Sequence, residues 1–412
     1  MKNVYFIGIG GIGMSAIARY YKFKGLDVSG YDRTPSELTH KLEAEGIRVH
    51  YEDRPDLVPS DKEETLVVYT PAIPQDLGEL RKVMDEGYTV LKRSRTLGEI
   101  TRGQRCLAVA GTHGKTTTST LTAHILTQTG AGCSAFLGGI SRNYGTNLLM
   151  SRNETVVVEA FRAFASQVSG TLIVKKGAPV SQEHTQAKVL TYHYKDTSAD
   201  FYAADAHPDA LGHFHYNLHY PGGVIQDICV GALGWVNAEN SIAAAAIALT
   251  YGVDPEGVKA AIGTFEGVKR RLEVHVNTPA LSYIDDYAHH PSELTSAITS
   301  MRDIFPGRKL TAIFQPHLYT RTRDFAPEFA KALSAVDKLI LLEIYPAREE
   351  PIPGVTSEMV FRDVTAPEKV LLKKEELMDY LADEPLDVLA TFGAGNIDRF
   401  IEPITELLKS RL

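Results

Sequence analysis

The chain has 412 residues, of which 44% are hydrophobic and 23% charged, and its formal net charge is −8 at pH 7. A chain of this length is too long for one hydrophobic core, so we expect two or three globular domains. The negative charge argues against nucleic-acid binding, which needs a basic surface. The three cysteines have no metal-like spacing, no stretch is apolar enough to span a membrane, and no leader precedes the first predicted strand. These features predict a cytoplasmic protein that does not associate with membranes.

The first motif is a glycine-rich loop after a predicted strand. Val4 to Ile9 is an apolar, β-favouring run, a helix is expected over Met14 to Lys24, and the spacing between them is G-x-G-x-x-G. The backbone N–H groups of such a loop bind a diphosphate, and Asp32, at the end of the next strand, can accept a ribose hydroxyl. The motif alone fits NAD(P), FAD or another nucleotide diphosphate such as a UDP-sugar, and a plain tight turn is a weaker interpretation. The loop residues are Gly8, Gly10, Gly11, Ile12 and Gly13.

The second motif predicts an ATP or GTP site. An apolar strand, Cys106 to Ala110, leads into G-x-x-G-K-T, and a helix is expected from there to Gly130. In such a loop backbone N–H groups hold the β-phosphate, Lys115 reaches the β- and γ-phosphates, and the Thr116 hydroxyl binds Mg²⁺. The predicted nucleotide loop comprises Gly111, Thr112, His113, Gly114, Lys115, Thr116 and Thr117.

The two motifs together favour ligase chemistry. A dehydrogenase has no use for a lysine that contacts a γ-phosphate, whereas an enzyme that activates a nucleotide-linked substrate with ATP needs both loops. Strand-helix alternation predicts three α/β domains, over residues 1–103, 104–272 and 273–412, with parallel, doubly wound sheets in the first and third. The histidine-rich stretch 207–223 is interpreted as a solvated hairpin rather than a metal site.

Polar clusters follow several other predicted strands, where α/β folds build their sites. Glu159 ends the buried strand "ETVVVEA", and "DDYAHHP" places Asp285, Asp286 and His289 after the strand "LSYI". A di-metal hydrolase is an alternative interpretation of the second cluster. The arginine pairs of "FEGVKRR" and "QPHLYTRTR" suit carboxylate and phosphate groups, although a solvated helix face would explain either pair alone.

The motifs, taken in order along nearly the whole chain, resemble the Mur ligases of bacterial peptidoglycan synthesis. The matching stretches are "GIGGIGMSAIA", "AGTHGKTTT", "NAENSIAAAAIA", "FEGVKRRLE", "DDYAHHPSE", "FQPHLYTRT", "IYPARE" and "FGAGNID". The resemblance implies a UDP-sugar-binding Rossmann-like domain, a central P-loop ATP-binding domain and a C-terminal Rossmann-like domain that binds an amino acid. It also implies that the first glycine loop binds UDP rather than NAD. The implied reaction uses ATP to join L-alanine to the lactyl carboxylate of UDP-N-acetylmuramate through an acyl phosphate.

The resemblance also implies roles for individual residues. Lys115 and Thr116 would act on the transferring phosphoryl group, and Glu159 would hold Mg²⁺. The family's remaining ATP contacts would be Asn237 and Asn240 on the adenine side, Arg270 or Arg271 on the phosphates, and Asp285 or Asp286 on the ribose. Tyr287, His289 and Arg321 would form the amino-acid pocket, with Arg321 on the carboxylate and His289 as a proton acceptor.

The sequence departs from the family pattern at three places. After Ala160 it lacks the family's E-A-D-E-Y-D-R-S-F and D-H-L-D segments and continues as "FRAFASQVSG", which leaves the chain roughly forty residues shorter than we expect. Either the protein lacks this segment or the printed sequence omits it, and we favour omission because every other motif is intact. Val236 and Leu318 stand where many members have a histidine and an arginine.

Three other functions stay open at this point. One is a related ligase that adds a different amino acid or recycles a murein peptide, another is a non-catalytic UDP-sugar-binding homologue, and the third is a nicotinamide oxidoreductase. The sequence is compatible with a monomer or a homodimer.

Overall fold

The computed structural model describes residues 1–160, 167–178, 186–347 and 349–412. The chain forms two compact units, one of residues 1–192 and 243–261, the other of residues 193–242 and 262–412. The predicted segment "FRAFAS", residues 161–166, and Arg348 of "IYPARE" lie outside the described residues. No helix in the described ranges is long and apolar enough to cross a membrane.

The first unit begins with a five-stranded parallel sheet in the order β3-β2-β1-β4-β5. Its strands are β1 (Asn3–Ile7), β2 (Asp27–Tyr31), β3 (Arg48–His50), β4 (Thr65–Tyr69) and β5 (Thr89–Lys92), and its helices are α1 (Ile12–Phe23), α2 (Glu37–Ala44), α3 (Gly78–Asp85) and α4 (Arg93–Thr101). Both faces of the central strand are buried: Val4 and Phe6 pack into one apolar cluster, and Tyr5 and Ile7 into another. A strand buried on both faces reads as a continuous apolar run, which is why the sequence identified it.

Chain order in this sheet reverses between β1 and β4. In open α/β sheets a ligand crevice forms at such a point, outside the carboxyl ends of the strands. The glycine loop follows β1 and therefore lies at this crevice. Strand β1 ends at Ile7, two residues earlier than the sequence predicts, because Gly8 turns the chain with φ +89°.

The second sheet of this unit carries the P-loop, in the order β6-β9-β7-β8. Its elements are β6 (Arg105–Ala110), α5 (Lys115–Gln128), β7 (Ser134–Phe136), β8 (Leu148–Leu149) and β9 (Thr155–Ala160). Strands β6, β9 and β7 are parallel and β8 is antiparallel to β7. The first unit also contains the parallel pair β10 (Thr171–Lys175) and β11 (Lys188–His193), and helices α6 (Trp235–Tyr251) and α7 (Pro255–Gly263) contribute residues to both units.

The second unit contains an antiparallel meander and a six-stranded sheet. The meander of β12 (Phe201–Pro208), β13 (Phe214–Tyr220) and β14 (Gly223–Cys229) confirms the hairpin predicted for the histidine-rich stretch. The sheet has the order β15-β16-β20-β17-β18-β19 and is parallel except for β15, which is antiparallel to β16. Its elements are β15 (Glu273–Asn277), β16 (Ser282–Asp286), α8 (Pro291–Ile304), β17 (Leu310–Phe314), α9 (Tyr319–Leu333), β18 (Lys338–Leu342), α10 (Glu358–Asp363), β19 (Glu368–Leu372), α11 (Leu377–Asp383), β20 (Val388–Phe392) and α12 (Ile401–Lys409).

The six-stranded sheet has a buried apolar cluster on each face, as a doubly wound sheet requires. Strands β16, β20 and β17 are adjacent and parallel, so the residues that follow them meet at one edge. This edge brings together "YAHHP" after β16, "GAGN" after β20 and "QPHLYTRT" after β17. The predicted parallel sheets of the first and third domains are therefore confirmed, with the antiparallel edge strand β15 as an addition.

Candidate active site

The glycine loop is held in place by Asp32. The backbone N–H groups of Gly8 and Ile9 donate to the carbonyl of Tyr31, and Gly10 N–H donates to Asp32 Oδ2 at 2.7 Å. The other oxygen, Oδ1, accepts from Thr34 N–H at 3.2 Å. Asp32 therefore orients the loop itself, and a ribose contact by this carboxylate stays a prediction.

The P-loop presents Lys115 at the first position of α5, directly after β6 and the glycine turn. Its ammonium group donates to the carbonyl oxygens of Gly111 at 2.8 Å and Thr112 at 3.4 Å. These bonds keep the lysine over its own loop without an acidic partner among the described residues. A phosphate can therefore replace the two carbonyls as acceptor without breaking an ion pair.

Glu159 projects from β9, which lies between β6 and β7. Its Oε1 accepts from Gly138 N–H at 2.9 Å and from Ser119 Oγ at 3.5 Å. A Cβ atom at position 138 would lie 2.3 Å from Oε1, so only glycine allows this approach. In the part of the chain that the structure describes, no donor contacts the second oxygen, Oε2, which leaves it able to bind a cation.

One cavity of about 430 Å³ connects these two loops. Its lining includes Gly11 and Gly13 from the glycine loop and Lys115 and Glu159 from the P-loop sheet. The structure thus brings the predicted diphosphate-binding loop and the predicted phosphoryl-transfer residues into the same space, which sequence spacing could not show.

The same cavity contains two residues that the sequence analysis missed, Arg93 and Thr70. Arg93 begins α4, and a Cβ atom at Gly13 would lie 2.7 Å from its Nη1, so the guanidinium packs directly on the glycine loop. An arginine at this position can bind a diphosphate or a carboxylate. The signal available in the sequence was weak: two arginines in "RSR", which the structure places immediately after β5.

In the second unit Arg270 is bound to Asp285. Arg270 Nε donates to Asp285 Oδ2 at 2.8 Å, and Nη2 donates to the carbonyl of Gly393 at 2.7 Å. Asp285 has no exposed surface, and its Oδ1 also accepts from Thr391 Oγ1 at 2.6 Å. The pair is a buried structural anchor at the end of β16. The neighbouring Arg271 is exposed, and its guanidinium lies 5.6 Å from the centre of the Tyr287 ring.

The carboxylate of Asp286 holds two backbone segments through hydrogen bonds. Its carboxylate accepts from Leu272 N–H and Ala288 N–H, both at 2.8 Å, and burial raises its pKa to about 6. Both candidates for the ATP ribose, Asp285 and Asp286, are thus engaged by the protein, and the ribose contact stays a prediction for either one.

The three residues predicted for the amino-acid pocket lie close together, with His317 between them. The rings of Tyr287 and His289 are 5.2 Å apart, those of His289 and His317 are 6.2 Å apart, and Arg321 Nη1 donates to His317 Nδ1 at 3.3 Å. Burial lowers the pKa of His289, which favours the neutral imidazole that can accept a proton. His317 was part of a quoted motif but received no role from the sequence.

Asn237 and Asn240 both lie in the first two turns of α6. Asn237 is buried and its Nδ2 donates to the carbonyl of Leu233 at 2.8 Å. Their proposed adenine contacts are not tested by this arrangement and stay predictions.

Comparisons with known proteins identify the family of this chain. A family model described as "Mur ligase family, catalytic domain" matches residues 3–105, and one described as "Mur ligase, glutamate ligase domain" matches residues 270–395. The UDP-N-acetylmuramate–L-alanine ligase of Parabacteroides distasonis is 46% identical over 449 aligned positions, which cover 98% of this chain and 97% of the relative. The chain belongs to the Mur ligase family.

This Mur ligase is also 45% identical to the UDP-N-acetylmuramate–L-alanine ligase of Porphyromonas gingivalis, with 100% of both chains covered. That alignment spans 455 positions, more than the 412 residues present here, so the relative has residues without a counterpart in this chain. Members of the family are ATP-dependent ligases, which excludes the nicotinamide oxidoreductase.

Among solved structures, UDP-N-acetylmuramate-alanine ligase MurC from Thermotoga maritima matches with a TM-score of 0.81 and 25% identity, over 100% of both chains. A murein peptide ligase from Psychrobacter arcticus shares the fold, with a TM-score of 0.70 and 18% identity over 99% of both chains. The predicted three-domain α/β fold is confirmed by these matches, whereas the boundaries at residues 103 and 272 stay predictions.

Proposed function

We propose that this Mur ligase uses ATP to join L-alanine to the lactyl carboxylate of UDP-N-acetylmuramate, the first amino-acid addition in peptidoglycan precursor synthesis. The observation that carries the proposal is the shared cavity, in which the diphosphate-binding loop, Lys115 and Glu159 line one space. Two relatives that are 45–46% identical over their full length carry the name of this activity. Since ATP and nucleotide sugars are cytoplasmic metabolites, we place the enzyme in the cytoplasm.

The glycine loop would hold the diphosphate of the sugar nucleotide at the N-terminus of α1, where the N–H groups and the helix dipole favour negative charge. Arg93 would add a cationic side chain on the same ligand. In this position the lactyl carboxylate can enter the cavity in which Lys115 lies. The protein thereby brings the acyl oxygen and the γ-phosphate together, which is the largest contribution a protein makes to phosphoryl transfer.

A carboxylate is a poor acyl donor because its leaving group would be oxide. Transfer of the γ-phosphoryl group to a carboxylate oxygen gives an acyl phosphate and ADP, and attack by the alanine amine then releases inorganic phosphate and forms the amide. Lys115, which gives up its two carbonyl acceptors to do so, would stabilise the charge on the phosphoryl oxygens during the first step.

The residues present fit a magnesium ion. Among the described residues one oxygen of Glu159 has no donor, and Thr116 offers a hydroxyl at the start of α5. Within the described ranges no group of three or more histidine, cysteine or acidic side chains could hold a metal ion. Mg²⁺ is commonly bound by one or two protein oxygens with phosphate and water completing its shell, and it would supply charge neutralisation at the phosphates.

Alanine would bind at Tyr287, His289 and Arg321. Arg321 would hold the carboxylate, and the neutral His289 imidazole would take the proton that the ammonium group must lose before it attacks. Leu318 supplies no cation beside Arg321, whereas the guanidinium of Arg271 lies 5.6 Å from the centre of the Tyr287 ring.

The proposal is tested by measuring phosphate release with ATP, UDP-N-acetylmuramate and each small amino acid in turn. We expect turnover with L-alanine, and Lys115→Ala should reduce it by at least about a hundredfold because it removes the cation at the transferring group. Lys409→Ala, a change of an exposed lysine in α12, serves as the matched control. Turnover with a different amino acid only would overturn the assigned substrate, and more than a few per cent of the rate in Lys115→Ala would overturn the P-loop assignment.

The acyl-phosphate step has its own test. ¹⁸O placed in the muramoyl carboxylate should appear in the released inorganic phosphate, because the oxygen that accepts the phosphoryl group leaves with it. Unlabelled phosphate during turnover would contradict the mechanism.

A second candidate function is UDP-sugar binding without catalysis. The observation that favours it is the length difference from the relatives, since the family segments that follow the glutamate are not found in this chain. This candidate predicts binding of UDP-N-acetylmuramate with no phosphate release for any amino acid. A ligase that acts on a murein peptide instead predicts release with the peptide alone.

A further inference from the structure

Asn147 connects α1, the helix that follows the glycine loop, to the segment Leu137–Gly138 that lines the cavity. It lies in the segment between β7 and β8 and has no exposed surface. Its Nδ2 donates to the carbonyl of Ile12 at 2.5 Å and to Ser15 Oγ at 3.0 Å, and its Oδ1 accepts from Arg19 Nη1 at 2.6 Å. One buried amide thus binds three residues in the first turns of α1, the helix that follows the glycine loop.

The backbone of Asn147 is hydrogen-bonded to the segment that carries Gly138. Its carbonyl accepts from Leu137 N–H at 3.0 Å, and the next N–H group, that of Gly138, holds Glu159 Oε1 at 2.9 Å. A short path of hydrogen bonds therefore runs from the start of α1 through Asn147 to the strand end that orients Glu159. Leu137, Gly138 and Glu159 all line the cavity.

Apolar side chains also join α1 to the P-loop sheet. Met14 and Ile17 belong to one buried cluster with Phe136, Leu148 and Val158. Apolar packing is favourable but non-directional, so it resists separation of the helix from the sheet more than a small slide along it. Hydrogen bonds with a buried amide are directional, and leaving their partners unpaired is costly, so they fix the register of the helix.

We propose that Asn147 is a positioning residue for the ligase reaction. Its side chain fixes the diphosphate-binding end of α1 relative to Glu159 and Lys115, and so sets the separation of the sugar-nucleotide carboxylate from the γ-phosphate. The inference rests on the proposed function for its catalytic consequence, whereas the fixing of α1 is independent of it.

The test compares Asn147→Ala with Asn153→Ala. Asn153 lies in the next loop of the same sheet and also makes side-chain hydrogen bonds, to Ala131 O and from Thr155 N–H, but none to α1. Since misplacing bound reactants by about 1 Å can cost a hundredfold in rate, we expect kcat of Asn147→Ala to fall by at least about tenfold. The dissociation constants for UDP-N-acetylmuramate and for ATP should each change by less than about threefold, because each loop keeps its own ligand contacts. Asn153→Ala should leave all three quantities within about twofold of the wild type.

A kcat within about twofold of the wild type in Asn147→Ala would overturn the proposal, as would a loss of activity that the lost affinity for one ligand fully explains. Should Asn147→Ala fail to fold, Ser15→Ala removes one of the bonds and leaves the amide in place. We expect that variant to lower kcat by about threefold with unchanged affinities, and an unchanged kcat would count against the proposal.

Hydrogen exchange separates this proposal from the proposed function. In Asn147→Ala the amides of residues 12–19 should exchange faster, while those of α5 should not change. If the wild type turns over no amino acid, the ligase function fails and the exchange result still decides whether Asn147 fixes α1. Equal amide exchange rates in α1 of Asn147→Ala and of the wild type would overturn the positioning role.

Discussion

The three carboxylates that were candidates for contacts with ribose hydroxyls are bound by the protein itself. Asp32 accepts from Gly10 N–H, Asp285 pairs with Arg270, and Asp286 accepts from two backbone N–H groups. A spacing pattern gives the position of an acidic residue but not its hydrogen-bond partners, because those partners come from distant parts of the chain. Glu159 differs, since in the described part of the chain its partners, Gly138 N–H and Ser119 Oγ, both bind the same oxygen, Oε1.

Arg321 provides a prediction at the residue scale. Its Nη1 donates to His317 Nδ1, and no acidic side chain binds it among the described residues, so its charge is available to a substrate carboxylate. Because a charge-assisted hydrogen bond contributes about 1.5–3 kcal/mol, Arg321→Ala should raise the KM for alanine by at least about tenfold and leave the KM for ATP within about twofold.

The control for this prediction is Arg323→Ala. Arg323 lies two residues away in the same helix and pairs with Asp324 at 2.8 Å on the surface. We expect no change in either KM. An equal rise of both KM values in Arg321→Ala would contradict the assignment of Arg321 to the amino-acid pocket.

Most of the individual elements could be predicted from local signals. Strand β1 is a continuous apolar run, and α5 begins directly after its glycine loop and ends before Gly130. The predicted helix over Met14 to Lys24 begins two residues earlier, at Ile12, because the glycine loop itself supplies the first turn. The meander β12 to β14 and the strand β15 are antiparallel, and their pairing follows from contacts that local patterns report only weakly.

Helix α4 supports a prediction at the scale of elements. Gly98 lies in its interior on the surface, and a Cβ atom there would meet nothing within 4 Å. Gly98→Ala should therefore raise the free energy of unfolding by about 0.5–1 kcal/mol, because alanine loses less backbone entropy in a helix. Denaturant unfolding measures this change.

Gly87 offers the matched control, because it follows α3 with equal space around it but has φ +75°. Alanine is strained in that conformation, so Gly87→Ala should destabilise the protein. A loss of stability in Gly98→Ala would show that α4 does not have the interior geometry described.

A further prediction concerns the acid stability of helix α5. His124 has no exposed surface, and burial lowers its pKa from 6.5 to about 4. Below pH 6.5 the unfolded chain binds a proton at this histidine, whereas the folded protein does not bind it until about pH 4. The free energy of unfolding that this residue contributes is therefore lost as the pH falls. His124→Gln should therefore show a smaller drop in melting temperature between about pH 7 and about pH 5 than the wild type.

An exposed histidine of the hairpin, His207, provides the comparison. His207→Gln should show the same drop in melting temperature as the wild type, because folding does not bury this side chain. Identical drops in melting temperature for His124→Gln and the wild type would contradict the argument that burial lowers the pKa of His124.

At the scale of the whole molecule the open question is the segment after Ala160. The relatives carry residues without a counterpart here, and we expect them to be part of the natural protein, since all the other motifs of the family are present in order. The intact mass of the protein isolated from its natural source should therefore exceed 45.2 kDa by several kilodaltons. A mass of 45.2 kDa would show a true deletion, and ligase activity should then be very low.

The sequence by itself determined the two glycine-rich loops, the parallel sheets that carry them and the family, because each is encoded by residues close together along the chain. Only the tertiary structure decided that the glycine loop, Arg93, Lys115 and Glu159 line one cavity, and that Asn147 joins the walls of that cavity. The physical reason is that a buried hydrogen bond depends on where two distant backbones lie. Residues 12 and 147 are separated by most of the first unit in sequence, and they come within hydrogen-bonding distance only when α1 packs on the P-loop sheet.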